Sequence, residues 1–253
     1  MPTVTLLEKL YGNFSIKTVE DRIQALFEGL EAKAKVEVTA RSWIRVKICG
    51  EDEVAALSLV EKEFGLAPVD ATCVKEGTVY RGKIVSSKKS DMDVYVDLGV
   101  LLPSPIDTTI PLQHLQAQLV DGQKLPLKRI IKLFCLLDNL PLEILIKHKA
   151  AMQNRFMAEL SEKQISLFQR WIRSNLERVV VLGTFSQDVE NAVRASGHFR
   201  DVIEVERLGM LEHAVICKLG TDAAGLIPKI GRRLPNVVLG VFSPKEISRY
   251  TIV

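Results

Sequence analysis

Gly77-Thr-Val-Tyr-Arg-Gly-Lys-Ile-Val85, answered after a polar stretch by Asp93-Val-Tyr-Val-Asp-Leu-Gly99, decides the fold of this chain. Both runs are rich in β-branched residues and alternate with period two, and Ser86-Ser-Lys-Lys-Ser-Asp91 lies between them. This pattern predicts a hairpin in a half-buried antiparallel sheet. Val79, Arg81, Lys83 and Val85 fall on one face of the first run, with Tyr80 and Ile84 on the other. In the second run Val94, Val96 and Leu98 oppose Tyr95 and Asp97. One face is expected to build a core and the other to present tyrosines beside cations. Gly82 permits the sharp bend that a small barrel needs.

The 253 residues exceed one small barrel and predict two or three compact units. Hydrophobic residues make up 47%, which excludes wholesale disorder. No apolar run approaches the roughly 18 residues of a membrane span, and Glu8 and Lys9 come too early for a signal peptide. Cys49, Cys73, Cys135 and Cys217 are scattered, with no C-x-x-C pair and no nearby histidine cluster. Their spacing argues against a metal centre and for a reducing, cytoplasmic compartment. Net charge is only +3 but unevenly placed: residues 120–180 carry eleven Lys and Arg against six Asp and Glu, a local excess suited to phosphate contact or to a solvated helix.

Outward from the hairpin, the fold class predicted is α+β, with two ferredoxin-like α/β sandwiches flanking a small OB-like β-barrel. Residues 1–67 read as β-α-β-β-α, with a first helix opening at Thr18 and Asp21 and a second spanning 52–64, closed by Gly65. The barrel occupies 68–150, with a short helix from Pro126 and a closing strand over 142–146. A linking helix is expected over 151–176, with Phe156, Leu160, Ile165, Phe168 and Ile172 as its apolar stripe and Arg155, Lys163, Arg170 and Arg173 off it. Residues 177–253 read as β-α-β-β-α-β. The outer units share signs of duplication. Gly12-Asn-Phe-Ser15 parallels Gly183-Thr-Phe-Ser186, which would set Phe14 over Phe185, and Val46-Lys-Ile-Cys49 parallels Ala214-Val-Ile-Cys217.

A search for catalytic machinery finds no catalytic set and no cofactor motif. The carboxylate pairs Asp91/Asp93 and Glu51-Asp52-Glu53 sit in a turn and at a helix start, where they serve solubility and the helix dipole. His114, His148, His198 and His213 are far apart in sequence. Gly220-Thr-Asp-Ala-Ala-Gly225 precedes a helix and suggests an anion site of Lys218, Gly220, Thr221 and Arg232, although it lacks the Lys-Ser/Thr of a P-loop. Gly197-His-Phe-Arg-Asp201 and Leu208-Gly-Met-Leu-Glu-His213 carry no assignable chemistry, and Arg200 with Glu212 is expected as a structural ion pair.

Over residues 77–115 the chain resembles the RNA-binding OB domain of the ribosomal protein S-one family. Gly77, Gly82, Lys83 and Val85 fit its first strand and Tyr95-Val-Asp-Leu-Gly99 its second. Met92-Asp93 replaces the family's usual Phe-Gly, and Leu112 stands where a base-stacking histidine is usual, with His114 two places later. The resemblance implies base stacking by Tyr80 and Tyr95. Over its whole length, through Arg207-Leu-Gly-Met-Leu-Glu-His213 and Gly220-Thr-Asp-Ala-Ala-Gly-Leu-Ile-Pro228, the chain also resembles a conserved archaeal family of unknown function. That likeness implies a housekeeping protein near transcription or translation. The leading expectation is a non-catalytic protein binding RNA or a ribonucleoprotein through Tyr80, Arg81, Lys83, Lys88, Lys89, Tyr95, Arg170 and Arg173. The alternatives are an adaptor docking on RNA polymerase or a ribosomal protein, and a ligand-binding or enzymatic protein using the Gly220–Gly225 loop.

Overall fold

A computed structural model describes residues 1–85, 90–150 and 155–251, which divide into two compact units. The first comprises residues 1–73 with 99–105. Its elements are β1 (Thr3–Lys9), α1 (Ile16–Ala25), β2 (Ala32–Val38), β3 (Trp43–Gly50) and α2 (Glu53–Phe64). The strands form an antiparallel sheet in the order β1-β3-β2. Helix α1 is capped three residues before the expected Thr18: the Ser15 hydroxyl accepts the Thr18 N–H at 3.1 Å, satisfying one of the unpaired amides of the first turn. Gly65, at φ +70°, ends α2 and turns the chain back beside β1. There Leu7 donates to the Gly65 carbonyl and Ala67 to that of Thr5, covering the edge of β1 with a short bridge.

The second unit comprises residues 74–98 and 106–253. It begins with β4 (Val79–Val85), β5 (Asp93–Asp97), β6 (Asp107–Pro111), α3 (Leu112–Leu119), α4 (Leu127–Phe134), β7 (Pro141–Ala150) and β8 (Arg155–Leu160). These strands close a barrel in the order β4-β5-β6-β8-β7, antiparallel throughout except where β6 meets β8. Ile84, Val94, Val96, Ile110, Ile144 and Leu160 are buried in its core. Gly82 is needed for space rather than for an unusual φ. A Cβ there would lie 2.6 Å from the Asp97 carbonyl oxygen and from a Val96 methyl.

The expected linking helix over 151–176 is corrected. Arg155-Phe-Met-Ala-Glu-Leu160 is a strand with Phe156, Ala158 and Leu160 buried, so its period is two rather than 3.6. Gln118 of α3 holds its end, giving and accepting a hydrogen bond at 3.0 Å with the Leu160 backbone. Ser161 then caps α5 (Glu162–Arg173) by accepting the Gln164 N–H.

After α5 come β9 (Arg178–Leu182), α6 (Ser186–Ala195), β10 (Val202–Arg207), β11 (Glu212–Cys217), α7 (Ala223–Gly231), β12 (Val238–Phe242) and α8 (Pro244–Ile247). The four strands form an antiparallel sheet in the order β10-β11-β9-β12. On one face Val179, Val181 and Val215 pack with Val189, Leu226 and Ile230 of α6 and α7. On the other, Phe242 of β12 meets Trp171 and Phe168 of α5 and Phe134 of α4, with ring centroids 5.0, 6.2 and 6.2 Å away. Barrel and sheet therefore share an aromatic core. No helix among the described residues is long and apolar enough to cross a membrane.

Candidate nucleic-acid interface

Strand register sorts the hairpin side chains. Directly opposed residues of an antiparallel pair share a face. Tyr80 opposes Ile144, a fully buried barrel residue, so it lies on the interior face at the barrel's end. Its hydroxyl accepts the Lys75 N–H at 3.0 Å. Tyr95 opposes Val85 and Thr109 and is half-buried on the outer face. The two tyrosines therefore lie on opposite faces of the barrel wall, which corrects the expectation that one face presents the tyrosines beside cations.

The cations of β4 are engaged beneath the C-terminal sheet. Lys83 is fully buried, with Nζ 2.5 Å from the Glu212 carboxylate, itself fully buried. Arg81 is half-buried, and its guanidinium donates to the Leu208 carbonyl. A lysine with no solvent access cannot meet a phosphate, so the expected RNA role of Lys83 is corrected to a structural one. Gly209 explains how the strands come so close. A Cβ at this position would sit 1.9 Å from a Glu212 carboxylate oxygen, and its N–H donates to the Glu212 carbonyl at 3.0 Å. The expected Arg200–Glu212 pair is likewise replaced: Arg200 is exposed, and Glu212 faces Lys83.

The unassigned string Leu208-Gly-Met-Leu-Glu-His213 thus docks the sheet on the barrel. His213, at its end, bonds through Nε2 to the Thr184 carbonyl at 3.0 Å. Sequence reasoning missed this role because its partners lie more than 120 residues away. The clue was a glycine three residues before the glutamate that opens a strand whose last four residues are apolar.

Other expected contacts scatter. Arg170 and Arg173 are exposed in the last turn of α5. Lys88 and Lys89 lie outside the described residues. Nearby, Arg178 is buried, donates to the carbonyls of Trp171 and Leu176, and stacks on the Trp171 ring at 5.0 Å. Burial pulls its pKa down and pushes that of Glu206 up; Glu206 lines a cleft of about 230 Å³ with Arg81, Glu143 and Gln164.

The expected anion site is corrected as well. The first amides of α7 already meet carboxylates: Ala223 donates to Glu177 at 2.9 Å, and Ala224 and Gly225 donate to Asp222 at 3.0 and 3.1 Å. Two carboxylates there would repel a phosphate. Thr221 bonds back to Lys218 and Asp201, while Arg232 stands at the far end of the helix from Gly220. Among the described residues no group of three His, Cys, Asp or Glu could hold a metal ion.

No curated protein matches the chain. A chain of the crystal structure of the a/eIF2alpha-aDim2p-rRNA complex from Pyrococcus horikoshii OT3 is similar at 8% identity, covering 51% of this chain and 70% of its own. Its TM-score of 0.27 is too low to carry any argument about fold or function. Family models match nearly end to end: residues 3–69 match the DUF2110 N-terminal domain, 74–172 the DUF2110 central domain and 176–242 the DUF2110 C-terminal domain. The chain belongs to the DUF2110 family.

Proposed function

We propose that this is a non-catalytic RNA-associated protein whose barrel is an OB-type module. The observation that carries the reading is the strand order β4-β5-β6-β8-β7, with its single parallel pair and with helices between the third and fourth strands. It fits the Greek-key barrel that binds oligonucleotides across strands two and three and the adjoining loops. Here that surface is the outer face of β5 and β6, where Tyr95 stands beside Thr109, with Lys88 and Lys89 a few residues before β5 in the sequence. Arg170 and Arg173, exposed at the end of α5, would add phosphate contacts away from that face. The sheet order β10-β11-β9-β12 in a β-α-β-β-α-β run supports reading the C-terminal part as a ferredoxin-like sandwich, and β1-β3-β2 as its shortened counterpart.

Anisotropy titration of a single-stranded oligoribonucleotide tests the proposal. Affinity should fall steeply with salt, and Tyr95→Ala should remove about 1–3 kcal/mol of binding without unfolding the protein. Tyr80→Ala should instead lower stability. An intact protein that binds no RNA at low salt would sink the reading. A second reading, a protein adaptor, is favoured by the burial of Lys83 and the engagement of half-buried Arg81 by the Leu208 carbonyl, which draw cations away from the barrel's outer face. On that reading affinity for the partner would be nearly independent of salt.

A further inference from the structure

Strand β12 ends the C-terminal sheet. It bonds to β9 on one side, and among the described residues no backbone group pairs with its other edge. Its sequence, Val238-Leu-Gly-Val-Phe242, has no charge and no proline, the devices that usually blunt an exposed edge.

A groove of about 420 Å³ runs along this edge and takes its lining from both faces of the sheet. Gly240 and Phe242 oppose Val180 and Arg178, on the face that meets α4 and α5. A Cβ on Gly240 would lie 2.3 Å from the Cys135 sulfur, so the end of α4 presses close to the strand. Leu239 and Val241 belong to the opposite face and, like Ile227 of α7, pack against the core there and line the groove. An extended segment laid against β12 would alternate its side chains between two apolar walls, Ile131 and Leu137 on one side and Ile227 on the other.

Charge selects the occupant. Residues 122–137, which supply the α4 wall, contain Lys124, Lys128, Arg129 and Lys132 and no acid. Residues 223–242, which supply the other wall and β12, contain Lys229, Arg232 and Arg233 and no acid. The one lining carboxylate, Glu246, faces Arg129 at 3.7 Å. Lys128 meets Asp91 only in an open surface pair, which is worth little. A second copy of this chain would bring the same cations against themselves. RNA would find apolar walls and no aromatic side chain on which to stack.

We propose that the free edge of β12 takes an extended peptide, a short apolar run flanked by acidic residues, as a fifth strand of the sheet. Main-chain hydrogen bonds would supply affinity, the two walls side-chain selection, and the lysines orientation. This docking site is independent of the RNA reading.

The test uses the full chain and the peptide acetyl-Asp-Glu-Val-Leu-Val-Leu-Glu-Asp-amide. Three controls go with it: the same peptide N-methylated along its apolar run, one with lysines in place of the acids, and a single-stranded oligoribonucleotide. Saturable binding of the acidic peptide is expected, with slowed hydrogen exchange at amides 238–242. Binding at least tenfold weaker is expected for the methylated and lysine peptides, and for the acidic peptide on the Lys128→Glu, Lys132→Glu variant. Both lysines are exposed, so that variant should fold. Absence of binding, equal binding of the methylated peptide, or displacement of the peptide by the oligoribonucleotide would overturn the proposal. So would a peptide-free dimer that protects β12.

Discussion

Lys83 and Glu212 place opposite charges where no water reaches either. Burying two charges costs several kcal/mol, and their attraction offsets that only while both are present. Lys83→Met alone should therefore lower stability by about 3–5 kcal/mol in urea unfolding, and adding Glu212→Leu should restore most of it. A single variant that loses less than about 1 kcal/mol would show that the pair does not anchor the two strands. The thiols test burial independently. Desolvation pushes Cys135 up to about 12 and Cys217 up to about 11. Both should resist iodoacetamide at pH 8 in the native protein, while exposed Cys73 reacts, as read by mass spectrometry. Alternation in the sequence put Arg81 and Lys83 on one face of β4 and Tyr80 and Ile84 on the other, and the strand register has the same division. Whether an outer face meets water or another sheet depends on a segment more than 120 residues away, and no local pattern reports it.

Among elements, the hairpin was legible because β-branched residues, a two-residue period and a central glycine all agree on it. Strand β8 was not. Phe156 and Leu160 are four apart, a spacing that fits a helix stripe as well as a strand face. Ala158, between them and buried, settles the period as two, and Ser161 marks the true helix start. The shift leaves the charge pattern of α5 intact: Lys163, Arg170 and Arg173 are exposed, and Phe168 and Trp171 are buried. Replacing Arg170 and Arg173 by Glu should change the melting temperature by no more than a degree or two. It should also weaken RNA binding and flatten the salt dependence by about one unit of slope for each phosphate left without its cation. A variant that keeps wild-type affinity across salt would make this face an ordinary solvated one. The proposed anion loop went wrong at the same scale. Glycines before a helix leave amides open to a phosphate only if no nearer carboxylate takes them, and Glu177, 46 residues upstream of Ala223, is invisible to a loop motif.

At the scale of the whole chain, similar motifs occupy similar places in two sheets. Gly12 and Gly183 both adopt positive φ just before α1 and α6, and Cys49 and Cys217 both lie near the ends of central strands. The sheets differ at one edge, where residues 65–67 form only a bridge in the first unit and β12 forms a full strand in the second. That extra strand carries Phe242, which is fully buried and touches rings from α4 and α5. The same side chain therefore belongs to the core of the sheet and to the helices that flank the barrel. Phe242→Ala should cost about 3–5 kcal/mol, the range for an aromatic removed from a packed core. The destabilisation should appear in both parts of the second unit at once, because barrel and sheet also share the Lys83–Glu212 pair. Native-state hydrogen exchange can resolve this: amides of β4 to β8 and of β9 to β12 should lose protection together and by the same free energy. If only the sheet amides were loosened, the aromatic contacts would be packing between two independently stable bodies, and the barrel would not need the sheet to stay closed.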